Sequence, residues 1–242
     1  LTVAMGHAIR HLKMHISRLP PETTEEKARN EVIDQIDHLV RSRIHVAARA
    51  IVESALGKIA DGDVILTYGR STLVQKLILV TGSEAEGTTT ADEVTEMLGP
   101  LDGAVDCTVV SIGSIGYVMR SASKVFLGAQ CIFSNGSLLG RVGTAVVGLM
   151  ARQANVPVIA LCETIKFSER VQLDAFVFNE LADPEAMLRA GKTTRPIRRV
   201  CNLVYDVAPP EYITMVISEV GQIPVTSIPV VIREYNNVMS TH

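Results

Sequence analysis

The sequence predicts an α/β protein: an N-terminal helical region followed by a Rossmann-like, mostly parallel sheet covered by helices. Two observations predict it. Before residue 60 the apolar residues recur with the period of a helix, and after it short apolar runs alternate with helical segments. A chain of 242 residues that is 47% hydrophobic can bury a sizeable core. We therefore expect an N-terminal helical region over 1–60 and an α/β domain over 61–242.

The N-terminal region is predicted to hold two helices, over 1–19 and about 25–58, separated by a Pro-Pro pair that a helix interior does not tolerate. Three side chains at i, i+4 and i+8 share one face of the first helix: His7, His11 and His15. Metal binding is one interpretation of that face. A solvated or interface face is favoured, because no acidic or cysteine partner lies close in sequence.

Short apolar runs predict the strands of the sheet at 64–68, 109–112, 124–127 and 156–161. The clearest helix between them is 144–153. Residues 81–103 are polar and loop-like, with room for a short helix over 92–98. Pro209 and Pro210 fit the start of a further helix and Gly221 its end, with a Pro-punctuated extended tail beyond.

Composition excludes several function classes. A net charge of -3 gives no electrostatic reason to bind nucleic acid or an anionic membrane, and no segment approaches the length of an apolar membrane span. Tryptophan is absent and aromatic residues are 4%, so no stacking platform for single-stranded nucleic acid is predicted. The 4 cysteines are widely spaced, which is typical of the reducing cytosol.

Two segments carry residues suited to a site. The turn Tyr68-Gly-Arg-Ser-Thr72 joins a predicted strand to a predicted helix, where exposed N–H groups favour an anion, although it lacks P-loop spacing. Glu163 and Lys166 follow another strand and could form a polar site on the same side of the sheet. Arg141 could contact the same anion, but a surface arginine is the favoured interpretation. No Ser/His/Asp set, zinc spacing or Gly-x-Gly-x-x-Gly motif is convincing.

Four segments carry a resemblance to one family: 128–144, 162–180, 202–213 and 219–233. They resemble the regulatory subunits (alpha, beta and delta) of eukaryotic translation initiation factor 2B, and the delta pattern is the closest match. The resemblance covers about 28–80 and 105–235. The same fold family includes methylthioribose-1-phosphate and ribose-1,5-bisphosphate isomerases.

The resemblance also implies that the isomerase chemistry is lost. The isomerase cysteine aligns near Gly69 and the isomerase aspartate falls on Gln130, and neither residue present here can transfer a proton at neutral pH. The expectation is a vestigial anion pocket formed by Gly69, Arg70, Ser71, Gln130 and Arg141.

The function that the resemblance implies is that of a non-catalytic regulatory subunit of the guanine-nucleotide exchange factor for initiation factor 2. Such a subunit would help dock the alpha subunit of initiation factor 2 and sense its phosphorylation. Its implied partners are the alpha, beta, gamma and epsilon subunits of initiation factor 2B in a cytosolic hetero-oligomer, with no cofactor, nucleic acid or membrane. Two alternatives stay open: a sugar-phosphate isomerase, and a metabolite-sensing scaffold that keeps the pocket.

Two surfaces are expected, the first from the resemblance and the second from basic side chains on a long helix. The subunits of the family pair about a pseudo-two-fold axis, and the residues implied near that pairing surface are Phe176, Asn179, Glu180, Cys201 and Leu203. Docking of the partner alpha subunit is assigned to the N-terminal helical region, through Arg41, Arg43 and Arg49, with a solvated helix face as the alternative for each.

Overall fold

A computed structural model describes residues 2–81, 85–88, 107–191 and 199–241. The helices within these ranges are α1 (Val3–Ser17), α2 (Glu25–Val40), a π-helical turn (Arg41–Val46), α3 (Ala47–Leu56), α4 (Thr72–Thr81), α5 (Ile115–Val118), α6 (Thr144–Ala154), α7 (Pro184–Gly191) and α8 (Ile228–Thr241). The strands are β1 (Ile65–Tyr68), β2 (Ala85–Thr88), β3 (Cys107–Val109), β4 (Lys124–Gly128), β5 (Cys131–Phe133), β6 (Leu138–Arg141), β7 (Val158–Leu161), β8 (Phe167–Ser168), β9 (Tyr205–Ala208), β10 (Met215–Ser218) and β11 (Gly221–Ile223).

Two sheets organise the chain. The main sheet has the order β11-β10-β7-β4-β1-β2-β3, and its pairs are parallel except for the β10–β11 hairpin. A smaller sheet has the order β8-β5-β6-β9 and is mostly antiparallel. From β1 the chain continues to β2 and β3 on one side, whereas from β4 it continues to β7 and β10 on the other. The strand order therefore reverses between β1 and β4, where open α/β sheets bind ligands.

The central strands are largely apolar, as expected for a sheet that is covered on both faces. Alternate side chains of β1, β4 and β7 enter two hydrophobic clusters. One cluster joins the sheet to α3 and α4 through Ile51, Ile65, Leu77, Phe126 and Ile159. The other joins it to α6 and α8 through Leu66, Val125, Val147, Ala160 and Ile232. The predicted fold class is confirmed.

The N-terminal region follows the predicted helices with one local difference. The helix expected over 25–58 runs from α2 into α3 through the π-helical turn, which inserts one wider turn into the helical ladder. Helix α1 packs against α2 and against the short 3₁₀ turn Thr164–Lys166. The proposed boundary near residue 60 stays a prediction, and α3 shares its hydrophobic cluster with the main sheet.

Four predicted elements are wrong. Residues 85–88 were expected in a loop, but they form β2, which is hydrogen-bonded between β1 and β3. The strand expected over 109–112 ends at Val109, and a 3₁₀ turn begins at Ile112. The helix expected between Pro210 and Gly221 is a 3₁₀ turn followed by β10, and the expected extended tail contains β11 and α8. The short helix expected over 92–98 lies outside the described residues.

Candidate functional site

A cavity of about 480 Å³ opens at the carboxyl ends of β1 and β4, at the point where the strand order reverses. The turns after these two strands, the end of β6 and the segment after β7 form its walls. Ile44 and Ala48 of the N-terminal helices complete one side. The cavity contains all five residues of the expected anion pocket: Gly69, Arg70, Ser71, Gln130 and Arg141.

The turn from β1 into α4 presents a helix N-terminus to the cavity. Gly69 has a φ of +69°, a left-handed conformation that a glycine adopts without strain. Ser71 then caps α4, since its Oγ accepts a hydrogen bond from the N–H of Val74 at 3.4 Å. The backbone of the turn and the first residues of α4 therefore offer the positive end of the helix dipole to this space.

Gly128 allows the second wall to approach the first. A Cβ atom at this position would lie 2.2 Å from Oγ of Ser71, so only a glycine at the end of β4 permits this contact. Beyond it, the N–H of Gln130 donates to the carbonyl of Leu139 at 2.9 Å, which ties the smaller sheet to the cavity wall.

The third wall is the turn from β6 into α6. Gly143 has a φ of +108°, and a Cβ there would meet the hydroxyl of Tyr68 at 2.3 Å. That hydroxyl donates to the carbonyl of Val142 at 2.6 Å. The hydroxyl of Thr144 donates to the carbonyl of Arg141 at 2.6 Å, which orders the turn that carries Arg141.

The N-terminus of α6 is already occupied by a carboxylate. Oδ2 of Asp206, from β9, accepts hydrogen bonds from the N–H groups of Gly143 at 2.7 Å and Ala145 at 3.1 Å. Burial raises the pKa of Asp206, although these two N–H bonds act in the opposite direction. An anion in the cavity would therefore meet the N-terminus of α4 and not that of α6.

Glu163 and Lys166 form a partly buried ion pair on the fourth wall, with Nζ and Oε2 2.7 Å apart. Burial by itself would lower the pKa of Lys166, but the neighbouring Cys162 and Glu163 raise it above its ordinary value. Lys166 is therefore a cation at neutral pH. Sequence analysis predicted a polar site from this pair, and the structure places both residues in the cavity.

The cavity is basic. Glu163 is the acidic residue among those that line it, and it faces four basic residues: Arg70, Lys76, Arg141 and Lys166. Sequence analysis did not single out Lys76, although its position four residues after Thr72 places it one helical turn into α4. Tyr205 was also missed, because it comes from the distant strand β9.

No cysteine is among the described residues that line the cavity. The Cys131 thiol follows Gln130, and burial raises its pKa to about 12. Cys162 is fully buried, and burial raises its pKa well above its ordinary value. Both thiols are therefore protonated at neutral pH. Within the ranges that the structure describes, no group of His, Cys, Asp and Glu side chains could hold a metal ion.

A second surface lies beside the smaller sheet, where large apolar side chains are exposed. This surface, called the apolar face below, consists of Val171, Leu173, Phe176, Val177, Phe178 and Leu181. Phe176 and Phe178 lie in an irregular segment, in which Oδ1 of Asp174 accepts from the N–H of Phe176 at 2.8 Å.

The remaining residues of the expected interface anchor this segment. The side chain of Asn179 donates to the carbonyl of Tyr205 at 2.7 Å and accepts from its N–H at 3.1 Å. Leu203 forms a backbone bridge to Leu181. Glu180 and Cys201 are exposed. All five residues therefore lie in or beside the apolar face, whose role as an interface stays a prediction.

The fold and cavity define a doubly wound α/β protein with a basic pocket at the point where the strand order reverses. The chain matches the initiation factor 2 subunit family over residues 1–225, and it therefore belongs to that family. Translation initiation factor eIF2B subunit delta of Schizosaccharomyces pombe is 36% identical to it over 260 residues, which cover 98% of this chain and 56% of the relative. The predicted resemblance to the delta subunits is confirmed.

The chain is also similar to a solved structure of a complex and to an enzyme. The crystal structure of the tetrameric eIF2B-beta2-delta2 complex from C. thermophilum matches with a TM-score of 0.80 and 36% identity, over 90% of this chain and 70% of that chain. Ribose 1,5-bisphosphate isomerase of Pyrococcus furiosus is 31% identical over 194 residues, 74% of this chain and 58% of the enzyme. The chain spans about half the length of the delta subunits that it matches.

Within the described residues, no helix has both the length and the apolar character needed to cross a membrane.

Proposed function

We propose that this chain is a regulatory subunit of the guanine-nucleotide exchange factor for initiation factor 2, with no catalysis of its own. In this role it helps dock the alpha subunit of initiation factor 2 and respond to its phosphorylation, in the cytosol. The observation that carries the proposal is the match to a delta subunit over 98% of the chain at 36% identity. The match to a structure of a beta–delta complex supports it.

The apolar face supports assembly into a hetero-oligomer. Its six large apolar side chains, all between residues 171 and 181, are 62–84% exposed. Such a concentration of exposed apolar side chains is unusual on the surface of a monomer. The hydrogen bonds of Asp174 and Asn179 hold the segment in place without a partner. We assign this face to pairing with the beta subunit of the exchange factor. The alpha, gamma and epsilon subunits complete the proposed assembly.

The cavity supports the absence of catalysis. By the resemblance, Gly69 and Gln130 fall where an isomerase needs proton-transferring groups. The nearby Cys131 is held as a neutral thiol by burial. Groups of this kind are typically worth about 10²–10⁴ in rate each. We therefore expect no turnover of ribose-1,5-bisphosphate or methylthioribose-1-phosphate by the purified chain. Turnover that Gln130→Ala abolishes would establish the isomerase alternative instead.

The basic cavity favours a second candidate function, that of a metabolite-sensing scaffold. Its four basic residues and the N-terminus of α4 provide an anion site that needs no proton transfer. Binding of a sugar phosphate without turnover, lost in Arg141→Gln, would support this function. The two candidate functions are compatible, since the cavity and the apolar face are formed by different residues.

Docking of the phosphorylated partner is proposed to involve the N-terminal helices. Arg43, in the π-helical turn, lies close enough to α1 to act on His11. Arg49 lies in a groove between α3 and α4. The two arginines therefore belong to different parts of the surface. Arg43 is the better candidate for a phosphate contact because it belongs to a group of basic side chains.

The test uses the assembled regulatory core. Binding of phosphorylated and unphosphorylated alpha subunit of initiation factor 2 is measured with and without this chain. We expect preference for the phosphorylated form to require the chain and to weaken in Arg43→Glu. The control is Arg120→Glu, because Arg120 is an exposed arginine outside the N-terminal helices. A core without this chain that still discriminates the two forms would disprove the regulatory role.

A further inference from the structure

The turn between β5 and β6, over 134–137, is tied to the chain segment that leads into the apolar face. The N–H and the hydroxyl of Ser134 both donate to the carbonyl of Arg170, at 3.1 and 3.2 Å. Gly136 has a φ of +82°, and a Cβ there would lie 3.1 Å from the carbonyl oxygen of Val225. The turn therefore packs closely against two distant parts of the chain and is a fixed anchor for the segment beside it.

Asn135 links this turn to Gln172. Its Oδ1 accepts a hydrogen bond from the N–H of Ser137 at 3.2 Å, which orders the side chain within its own turn. Its Nδ2 donates to the carbonyl of Gln172 at 3.3 Å. The amide of Asn135 therefore uses its acceptor within the turn and its donor on the segment that follows β8.

Gln172 in turn holds the backbone of the apolar face. Its Nε2 donates to the carbonyl of Asp174 at 2.8 Å and to the carbonyl of Phe178 at 3.2 Å. One side chain thus joins both ends of the loop over 174–178, which displays Phe176 and Val177 to solvent. The backbone of Gln172 is itself held by Asn135, so the loop is connected to the β5–β6 turn through two amide side chains.

The burial of this segment is the reverse of the usual pattern in a folded chain. Of residues 171–178, all of which the structure describes, only Gln172 is buried, at 8% exposure. The large apolar side chains in the same range are 62–84% exposed. Burial of an amide is tolerated when its hydrogen bonds are made, as they are here. The polar side chain therefore fixes the backbone, and the apolar side chains are left for another surface.

We propose that Asn135 and Gln172 are positioning residues that hold the apolar face in the conformation that its partner binds. The inference rests on the proposed function, which assigns this face to pairing with the beta subunit. A segment that is ordered before binding loses less conformational entropy when it binds, and this increases affinity. The strength of pairing then depends on two polar side chains that support the face as well as on the apolar side chains within it.

The first measurement is the Kd for pairing with the beta subunit, by sedimentation analysis. Gln172→Met keeps the length of the side chain but removes both donated hydrogen bonds. Asn135→Asp keeps the acceptor for the N–H of Ser137 and removes the donor to Gln172. We expect Kd to rise roughly tenfold in Gln172→Met and roughly threefold in Asn135→Asp, because the partner must then order the segment. The matched control is Gln153→Met, since Gln153 is exposed on α6 outside the face.

Two further readouts distinguish positioning from a general effect on folding. Amide hydrogen exchange should show that protection over 172–178 is lost in unpaired Gln172→Met and restored by the beta subunit. A double-mutant cycle supplies the second readout. The loss of affinity caused by Phe178→Ala should be at least about threefold smaller in the Gln172→Met background than in the unmodified chain, because both substitutions act on the same contact.

The outcomes separate the inference from the proposed function. Pairing that Phe178→Ala weakens, but that neither Gln172→Met nor Asn135→Asp weakens, overturns the inference and leaves the proposed function in place. Losses from Gln172→Met and Phe178→Ala that simply add also overturn it, because Gln172 would then act elsewhere. If Gln172→Met does not fold, Asn135→Asp decides by the same measurements. Pairing that is insensitive to both Phe178→Ala and Leu203→Asp overturns the assignment of the face, and the inference with it.

Discussion

The basic cavity and the apolar face lie on either side of β9 but are built in different ways. Backbone turns and close-packed glycines shape the cavity, and four basic side chains line it. The apolar face is an irregular segment that displays Leu173 and Phe176 at 84% and 78% exposure. The lining of the cavity is mostly polar and basic, whereas the face exposes large apolar side chains.

This difference indicates how a fold shared with enzymes can serve a binding function. In the proposed function, the cavity keeps its walls for packing without the proton-handling side chains of an isomerase, and binding uses the apolar face. Tyr205 connects the two regions, since it lines the cavity and its backbone is held by Asn179 of the interface segment.

The largest expected effect is on assembly. Phe178→Asp should weaken pairing with the beta subunit by at least about thirtyfold, because a central aromatic contact is replaced by a carboxylate that the interface would bury. Sedimentation analysis of the mixed subunits measures this effect. Tyr117→Asp is the matched control, since Tyr117 is 85% exposed on α5 and lies outside the face. Leu203→Asp should act in the same direction as Phe178→Asp.

Equal weakening of pairing by Phe178→Asp and Tyr117→Asp would show that the apolar face contributes no more to pairing than another exposed position. Unchanged assembly in both Phe178→Asp and Leu203→Asp would remove the face from the interface.

Substitutions that disturb packing in the cavity wall should lower the stability of the fold, and the presence of a partner should not matter for this effect. Gly143→Ala should destabilise the fold by about 2–4 kcal/mol, because φ is positive and the new Cβ would clash with Tyr68 and Ile112. Gly221→Ala is the control: its φ is +120°, but nothing lies within 4 Å of the new Cβ. Urea denaturation of the two variants separates the clash from the backbone strain. Similar losses in both would mean that the cavity wall adjusts without cost.

The sequence predicts the cavity better than it predicts the strands around it. Gly69 could be placed because a turn after a strand has a fixed position at the edge of a parallel sheet. Gln130 and Arg141 were placed by the resemblance to the family. The strand at 85–88 could not be placed, because its sequence Ala-Glu-Gly-Thr has no apolar pattern. Its strand conformation comes from backbone pairing with β1 and β3, a tertiary effect that local propensity does not report.

The C-terminal segment was misread for a different reason. Met215-Val-Ile-Ser218 is a short apolar run that fits either a helix or a strand, and the nearby Pro210 favoured a helix start. The structure resolves the ambiguity because β10 fills the place beside β7 in the main sheet. Similarly, Pro229 was read as part of an extended tail, but it lies in the first turn of α8, where proline is tolerated.

The smallest expected effect concerns Asp206, whose side chain caps α6 at the cavity. Asp206→Ala should destabilise the fold by about 1–2 kcal/mol, because the N–H groups of Gly143 and Ala145 lose their acceptor. Asp206→Asn should cost less, since the amide oxygen can still accept both bonds. Urea denaturation near neutral pH measures this difference, with the unmodified chain as reference.

The comparison of Asp206→Asn with the unmodified chain should also depend on pH. Burial raises the pKa of Asp206 in the folded chain above its ordinary value of about 4. The protonated form is therefore favoured by folding, so the contribution of Asp206 to stability is full below the ordinary value and is lost as the pH rises through the raised pKa. The unmodified chain should thus gain stability relative to Asp206→Asn when urea midpoints are compared at decreasing pH. A change in the opposite direction would show that the N-terminus of α6 has a larger effect on the pKa of Asp206 than burial and holds Asp206 as a stabilised anion. That negative charge would then repel a second anion in the cavity from the α6 turn.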